Sequence, residues 1–322
     1  MAAAAMILAG CSNEENEAVD NWNGEIRLSS GLVVQQVTRS IETDKQSTQI
    51  AENNHVGFFI NEDVTESPTT TYTQNLDYTA DGGGNFTGTT VYYPQSGKGV
   101  NIYAYAPWKD GLTLDGNYPF TVKTDQSEVN AYIASDLLWG QPMKEETPDT
   151  YITANPVART KTPVPVTFKH LLSKIEVTLK VGKGLTVDHF KGATLTILNT
   201  KPTTNLTLKD GNISEASGIP TDIIAASYGQ ETTSATLTAA AIVVPQTITK
   251  GTKFMKLHLT TGGDLYYTLP NGSADEDLLL ESGKIYKYEI TVNLTGLTVT
   301  STINDWETIG NGNPVKGEAT ME

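Results

Sequence analysis

Two stretches of this chain alternate their side chains with a period of two, and that period governs most of what the chain can fold into. Lys174-Ile-Glu-Val-Thr-Leu-Lys180 sets Ile175, Val177 and Leu179 against Lys174, Glu176, Thr178 and Lys180. Tyr286, Tyr288, Ile290, Val292 and Leu294 alternate in the same way with Lys287, Glu289, Thr291 and Asn293. Successive side chains of a strand point to opposite faces, so both stretches read as half-buried strands. Val56-Gly-Phe-Phe-Ile60 and Val100-Asn-Ile-Tyr-Ala-Tyr-Ala-Pro107 read as more deeply buried ones. Turn signals punctuate them at Asp81-Gly-Gly-Gly84, Lys209-Asp-Gly-Asn212 and Thr261-Gly-Gly-Asp264. Helical stripes are few; the best short candidate is Ala274–Leu280, with Ser273 as its N-cap. The predicted fold class is all-β, built as antiparallel β-sandwiches.

With 322 residues, and roughly 100–200 residues per domain, two domains are expected. A seam lies in the middle, where Lys144-Glu-Glu-Thr-Pro-Asp-Thr150 and Asn155-Pro-Val-Ala-Arg-Thr-Lys-Thr-Pro-Val-Pro165 are rich in proline and threonine. The expected division is residues 1–23 as a signal and acidic tether, 24–155 as an N-terminal sandwich and 156–322 as a C-terminal one.

Motifs that carry chemistry are missing. The sequence holds no Gly-x-Ser-x-Gly elbow, no Walker loop and no His-Glu-x-x-His. His55, His170, His189 and His258 have no ligand spacing and read as packed or surface imidazoles. Asp275, Glu276 and Asp277 lack the alternating oxygens of a calcium loop and read as an acidic helix start. Tyr103, Tyr105, Trp108 and Trp139 read as core packing rather than a sugar platform. No catalytic residue, metal site or cofactor is expected.

The chain begins Met1-Ala-Ala-Ala-Ala-Met-Ile-Leu-Ala-Gly-Cys11, and Leu8-Ala-Gly-Cys11 resembles the lipobox of a bacterial lipoprotein signal. Cys11, the single cysteine, is then the lipidated residue. No basic residue precedes the run, so the start reads as shortened by several residues. Glu14, Glu15, Glu17 and Asp20 follow as a solvated tether. The formal charge of −15 disfavours nucleic acid and anionic lipid headgroups as partners.

Several blocks, in order, resemble the fimbrillins, the type V pilins of Bacteroidales of the FimA and Mfa-like kind. They are Val100–Pro107, Ser135-Asp-Leu-Leu-Trp-Gly140, Val166–Leu179, Tyr286–Val292 and Val299–Trp306. With Cys11 they cover nearly the whole chain. The resemblance implies two transthyretin-like β-sandwich domains. It further implies export as an outer-membrane lipoprotein and removal of the N-terminal strand by an arginine-specific protease. The vacated groove then takes a C-terminal strand of another fimbrial subunit, by β-strand addition.

Arginine occurs only at Arg27, Arg39 and Arg159. Arg39, in the polar stretch Gln35–Ile41, is the expected cleavage point, leaving Ser40 as the new N-terminus. Ile26, Leu28, Leu32 and Val34 share one parity, as a removable strand with one buried face would. Arg27, inside that strand, is expected to be shielded, and the Arg159 loop must be protected if the domains are to stay joined. The donor is expected in Leu297–Trp306, through Leu297, Val299 and Ile303, with the polar tail to Glu322 as an extension. The alternatives are a tip or anchor subunit, or a monomeric surface lipoprotein that binds a glycan, host or bacterial surface ligand.

Overall fold

The structure is a computed structural model and describes residues 22–32, 49–63, 73–147, 150–231, 236–270, 276–293, 296–305 and 315–320. Nearly all regular structure is strand; the helical pieces are Val129–Ile133 and the single 3-10 turn Val187–Phe190. The largest sheet runs in the spatial order Leu28–Leu32, Val164–His170, Leu138–Thr147, Val100–Ala106, His55–Glu62, Leu76–Ala80, Phe86–Gly88, and Thr150–Thr153 pairs onto Leu138–Thr147. A six-stranded sheet runs Ala226–Glu231, Thr236–Val243, Ser173–Val181, Lys284–Asn293, Gly296–Asp305, Val315–Thr320. A four-stranded sheet runs Thr221–Ile224, Thr194–Thr200, Lys253–Leu259, Gly263–Thr268. Smaller sheets join Asn117–Thr121 to Thr203–Thr207 and Gln246–Ile248 to Leu278–Leu280.

The all-β reading holds, and two pairings depart from the antiparallel pattern. Leu28–Leu32 runs parallel to Val164–His170, and Ser173–Val181 runs parallel to Lys284–Asn293. Parallel neighbours cannot be joined by a hairpin, and both pairs are far apart in sequence.

The largest sheet is buried on both faces. Val56, Phe58 and Ile60 enter one core with Ile102, Val166 and Phe168. Phe59, one residue out of phase, enters a second core with Tyr105, Trp139, Val177, Tyr286 and Ile290. That is why Val56–Ile60 has no polar alternation. Tyr103 and Trp108 pack partly buried against the second core, as expected for the aromatics of this region. Among them, Trp139 donates its Nε1 proton to the Leu208 carbonyl at 2.7 Å.

Two local expectations fail. The stretch read as a linker is built into the largest sheet: Lys144 pairs with Ile152, Val157 bridges Val100, and Val164-Pro165 opens the strand to His170. Residues 155 and 156 lie between two strands of that one sheet. The helix expected at Ala274–Leu280 is also absent from its described part. Glu276 and Asp277 are irregular, Asp277 accepts a bond from the Lys250 amide at 2.9 Å, and Leu278–Leu280 is a strand against Gln246–Ile248.

Candidate functional site

The first strand, Leu28–Leu32, occupies a slot between two parts of the chain. On one side Leu28 lies opposite Val164 and Leu32 opposite Phe168, in parallel register. On the other side the contacts are antiparallel and interrupted. Glu25 bridges Tyr92 and Ser29 bridges Asn85. The Ile26 amide donates to the Val91 carbonyl at 2.7 Å, the Ser30 amide to Gly84 at 2.7 Å, and the Tyr93 amide to Gly24 at 2.8 Å. The strand therefore bridges the two ends of the largest sheet and closes it.

Ile26 and Leu28 point inward and are buried against Phe58, Tyr78, Val91, Val164 and Val166. Each such side chain contributes about 1.5–3 kcal/mol when fully buried. Tyr78 forms part of the floor, donating its hydroxyl proton to the Thr89 carbonyl. Burial, with the Glu25 carboxylate nearby as a lesser cause, pushes its phenol up to about 12. Gly88 is required here, because a Cβ would stand 2.7 Å from the Tyr78 ring. An open cleft of about 340 Å³ runs beside the strand, lined by Glu25, Arg27, Asn85, Thr87, Thr90 and Pro163 among others.

Ile26 and Leu28 face in, Arg27 faces out, and Leu32 keeps its register opposite Phe168. Shielding of Arg27 is a correction: its side chain is half exposed, 3.8 Å from Glu25, because the alternation that buries Ile26 and Leu28 turns it outward. Its carbonyl accepts the Val164 amide at 2.8 Å. Cys11, Val34, Arg39 and Ser40 lie outside the described residues.

At the other end of the chain Gly296–Asp305 pairs along its whole length with Lys284–Asn293. Leu297 and Val299 are buried in the second core, and Ile303 is exposed. The tail, expected as an extension of the donor, contributes the strand Val315–Thr320, which pairs with Gly296–Ser301 as the sheet's edge.

Sequence reading also missed a contact that holds the entry to the slot. Arg159 stacks its guanidinium on the Trp22 indole, 4.8 Å from the ring centre, although the two residues lie at opposite ends of the first half of the chain. The only available hint is that Arg159 is one of three arginines.

Elsewhere, the histidines are each engaged. His55 meets Asp77 at 2.8 Å, His258 meets Asp264 at 2.7 Å, the buried His170 meets Asp136 at 2.9 Å, and His189 contacts Thr186. Among the described residues no group of three or more His, Cys, Asp or Glu is placed to hold a metal ion, and no helix is long and apolar enough to cross a membrane. A second, polar cleft of about 730 Å³ lies over the four-stranded sheet, lined by Asp125, Thr194, Thr196, Asp222, Lys256 and His258.

The model of the fimbrillin-like family matches residues 38–306. A Bacteroides uniformis protein provisionally named fimbrium subunit Fim1C is 26% identical over 332 residues, covering 98% of this chain and 96% of its own. The fold is shared with a provisionally assigned cell adhesion protein of Bacteroides uniformis, at a TM-score of 0.63 and 20% identity over 88% of this chain and 100% of that one. A second such protein, from Bacteroides ovatus, gives 0.61 and 19% over 89% and 98%.

Proposed function

Because this chain belongs to the fimbrillin-like family, we propose that it is a structural subunit of a surface fimbrium, joined to other fimbrial subunits by exchange of its first strand. The observation that supports this most is the slot itself. Leu28–Leu32 closes the largest sheet through one ladder and a few isolated bonds, and Ile26 and Leu28 carry its inward face into that core. An extended segment from a neighbour would restore the same main-chain bonds, and its alternate apolar side chains would fill the places of Ile26 and Leu28.

The steps before assembly follow from the N-terminal sequence. Cys11 takes the lipid and holds the precursor at the outer membrane. An arginine-specific protease cuts between Arg39 and Ser40, and the first strand departs with the tether. The donor lies in the C-terminal pair of strands. Gly296–Asp305, with Leu297, Val299 and Ile303, is held by ladders on both sides, whereas Val315–Thr320 is held by one. The outer strand is thus the first to peel away and be given to a neighbour. Adhesion to a host or bacterial surface would then be a property of the filament.

The test is to treat the lipid-free full chain with an arginine-specific protease, sequence the product and size it. The expected result is a product beginning at Ser40 that forms a ladder of oligomers. A product beginning at Ser40 that stays monomeric would overturn strand exchange and favour the monomeric ligand-binding reading, for which the polar cleft beside Lys256 and His258 is the place to look.

A further inference from the structure

The stacked guanidinium of Arg159 is held almost entirely by residues at the start of the first strand. Its ring partner is Trp22, at 4.8 Å. Gly24, at φ +92, lies so near that a Cβ there would stand 2.6 Å from the Arg159 Nη2. Trp22 is fixed in turn by donation of its Nε1 proton to the Glu25 carbonyl at 3.0 Å and by an edge contact with Tyr93 at 6.3 Å. Tyr93 belongs to the far wall of the slot and its amide donates to the Gly24 carbonyl at 2.8 Å.

The backbone around Arg159 is more lightly covered, with Thr160 half-buried. The residue stands in the irregular segment between Thr150–Thr153 and Val164–His170, and Ala158, Arg159, Lys161 and Thr162 are all exposed. A protease specific for arginine must draw the extended side chain into an acidic pocket, where the fork of N–H donors meets a carboxylate. A guanidinium laid on an indole and walled by Gly24 cannot be drawn in until that contact opens.

We propose that the Arg159–Thr160 bond is a second, latent cleavage site for an arginine-specific protease, masked by Trp22 while the first strand is seated. Cleavage is ordinary hydrolysis: water adds across the amide, leaving a carboxylate on Arg159 and a free amine on Thr160. Loss of the strand removes Trp22 and Gly24 together and exposes the site. The cut lies just ahead of Val164–His170, the strand that forms one wall of the slot. Resting on the strand-exchange reading, the consequence is that a trimmed subunit left unfilled is destroyed by the class of enzyme that trimmed it.

The experiment is digestion of the full chain with an arginine-specific endoprotease, following by intact mass the appearance of the fragment that starts at Thr160. An Arg39→Lys parent, which keeps its first strand, is compared with the same parent carrying Trp22→Ala, Trp22→Phe or Leu28→Asp, and wild type is digested alongside. The loss of an exposed cation–π contact is expected to accelerate that fragment about 2- to 5-fold in Trp22→Ala, and less in Trp22→Phe, which keeps a ring face. Leu28→Asp unseats the strand without touching either partner and is expected to unmask the site as well. Equal rates in the Arg39→Lys parent and its Trp22→Ala variant, or no Thr160 fragment from either the Trp22→Ala or the Leu28→Asp variant, would overturn the proposal. A chain that unmasks Arg159 yet never oligomerises keeps the latent site and refutes strand exchange. Oligomers whose unfilled monomers resist cleavage after Arg159 do the reverse.

Discussion

The two ends of the chain are both strands at the margin of a sheet, yet they are held in different ways. Leu28–Leu32 has a parallel ladder on one side, a few bridges on the other, and a stacked arginine at its entry. Gly296–Asp305 and Val315–Thr320 form a continuous antiparallel pair on the six-stranded sheet. The first lies in a place bounded by residues distant in sequence. The second grows from its neighbour strand Lys284–Asn293 by successive hairpins. A strand with a ladder on one side and isolated bridges on the other is expected to open more readily than one laddered into its sheet on both sides.

Core truncations should break or uphold this contrast most strongly. Ile290→Ala empties a fully buried position opposite Val299 and is expected to cost about 2–5 kcal/mol, lowering the main thermal transition. Leu28→Ala removes a comparable side chain, but its effect should appear as faster amide exchange confined to residues 26–32, with the main transition little changed. If Leu28→Ala lowers that transition as much as Ile290→Ala does, the first strand is not a separable unit.

Alkaline pH offers an intermediate effect at both ends. Burial raises Tyr78 under the first strand and Tyr286 in the second core, each to about 12 from an ordinary value of 10.0. The raised value means the folded chain keeps a proton that the unfolded one gives up. Stability is therefore full below pH 10 and is lost as pH rises towards 12. Tyr78→Phe should blunt the alkaline opening of the slot, read by exchange at residues 26–32, and leave the C-terminal sheet's response unchanged. The smallest effect is expected from Arg27→Ala. Its half-exposed pair with Glu25 is worth well under about 1 kcal/mol, so the melting temperature should hold.

Strands that alternate cleanly were legible from sequence, because the pattern that identifies them is the one that buries them. Ile175, Val177 and Leu179 lie in the second core as their spacing requires, and Ile26 and Leu28 in the first. The tail strand was not legible. Val315-Lys-Gly-Glu-Ala-Thr320 has little strand preference of its own and is ordered by its ladder to Gly296–Ser301. Leu278–Leu280 was misread for a related reason: a short apolar run fits helix or strand until a partner, here Gln246–Ile248, decides. The stack of Arg159 on Trp22 left no local trace, since neither residue's neighbours anticipate the other.

The closure of the largest sheet by Leu28–Leu32 has a consequence for the protein in storage. Unpaired strand edges are what drive β-rich chains into indiscriminate clumps. Here the Ser29–Asn85 bridge and the ladder to Val164–His170 cap the place where such an edge would otherwise face solvent. The first strand is thus a stopper for that edge, and unseating it would leave the edge free to pair with another chain.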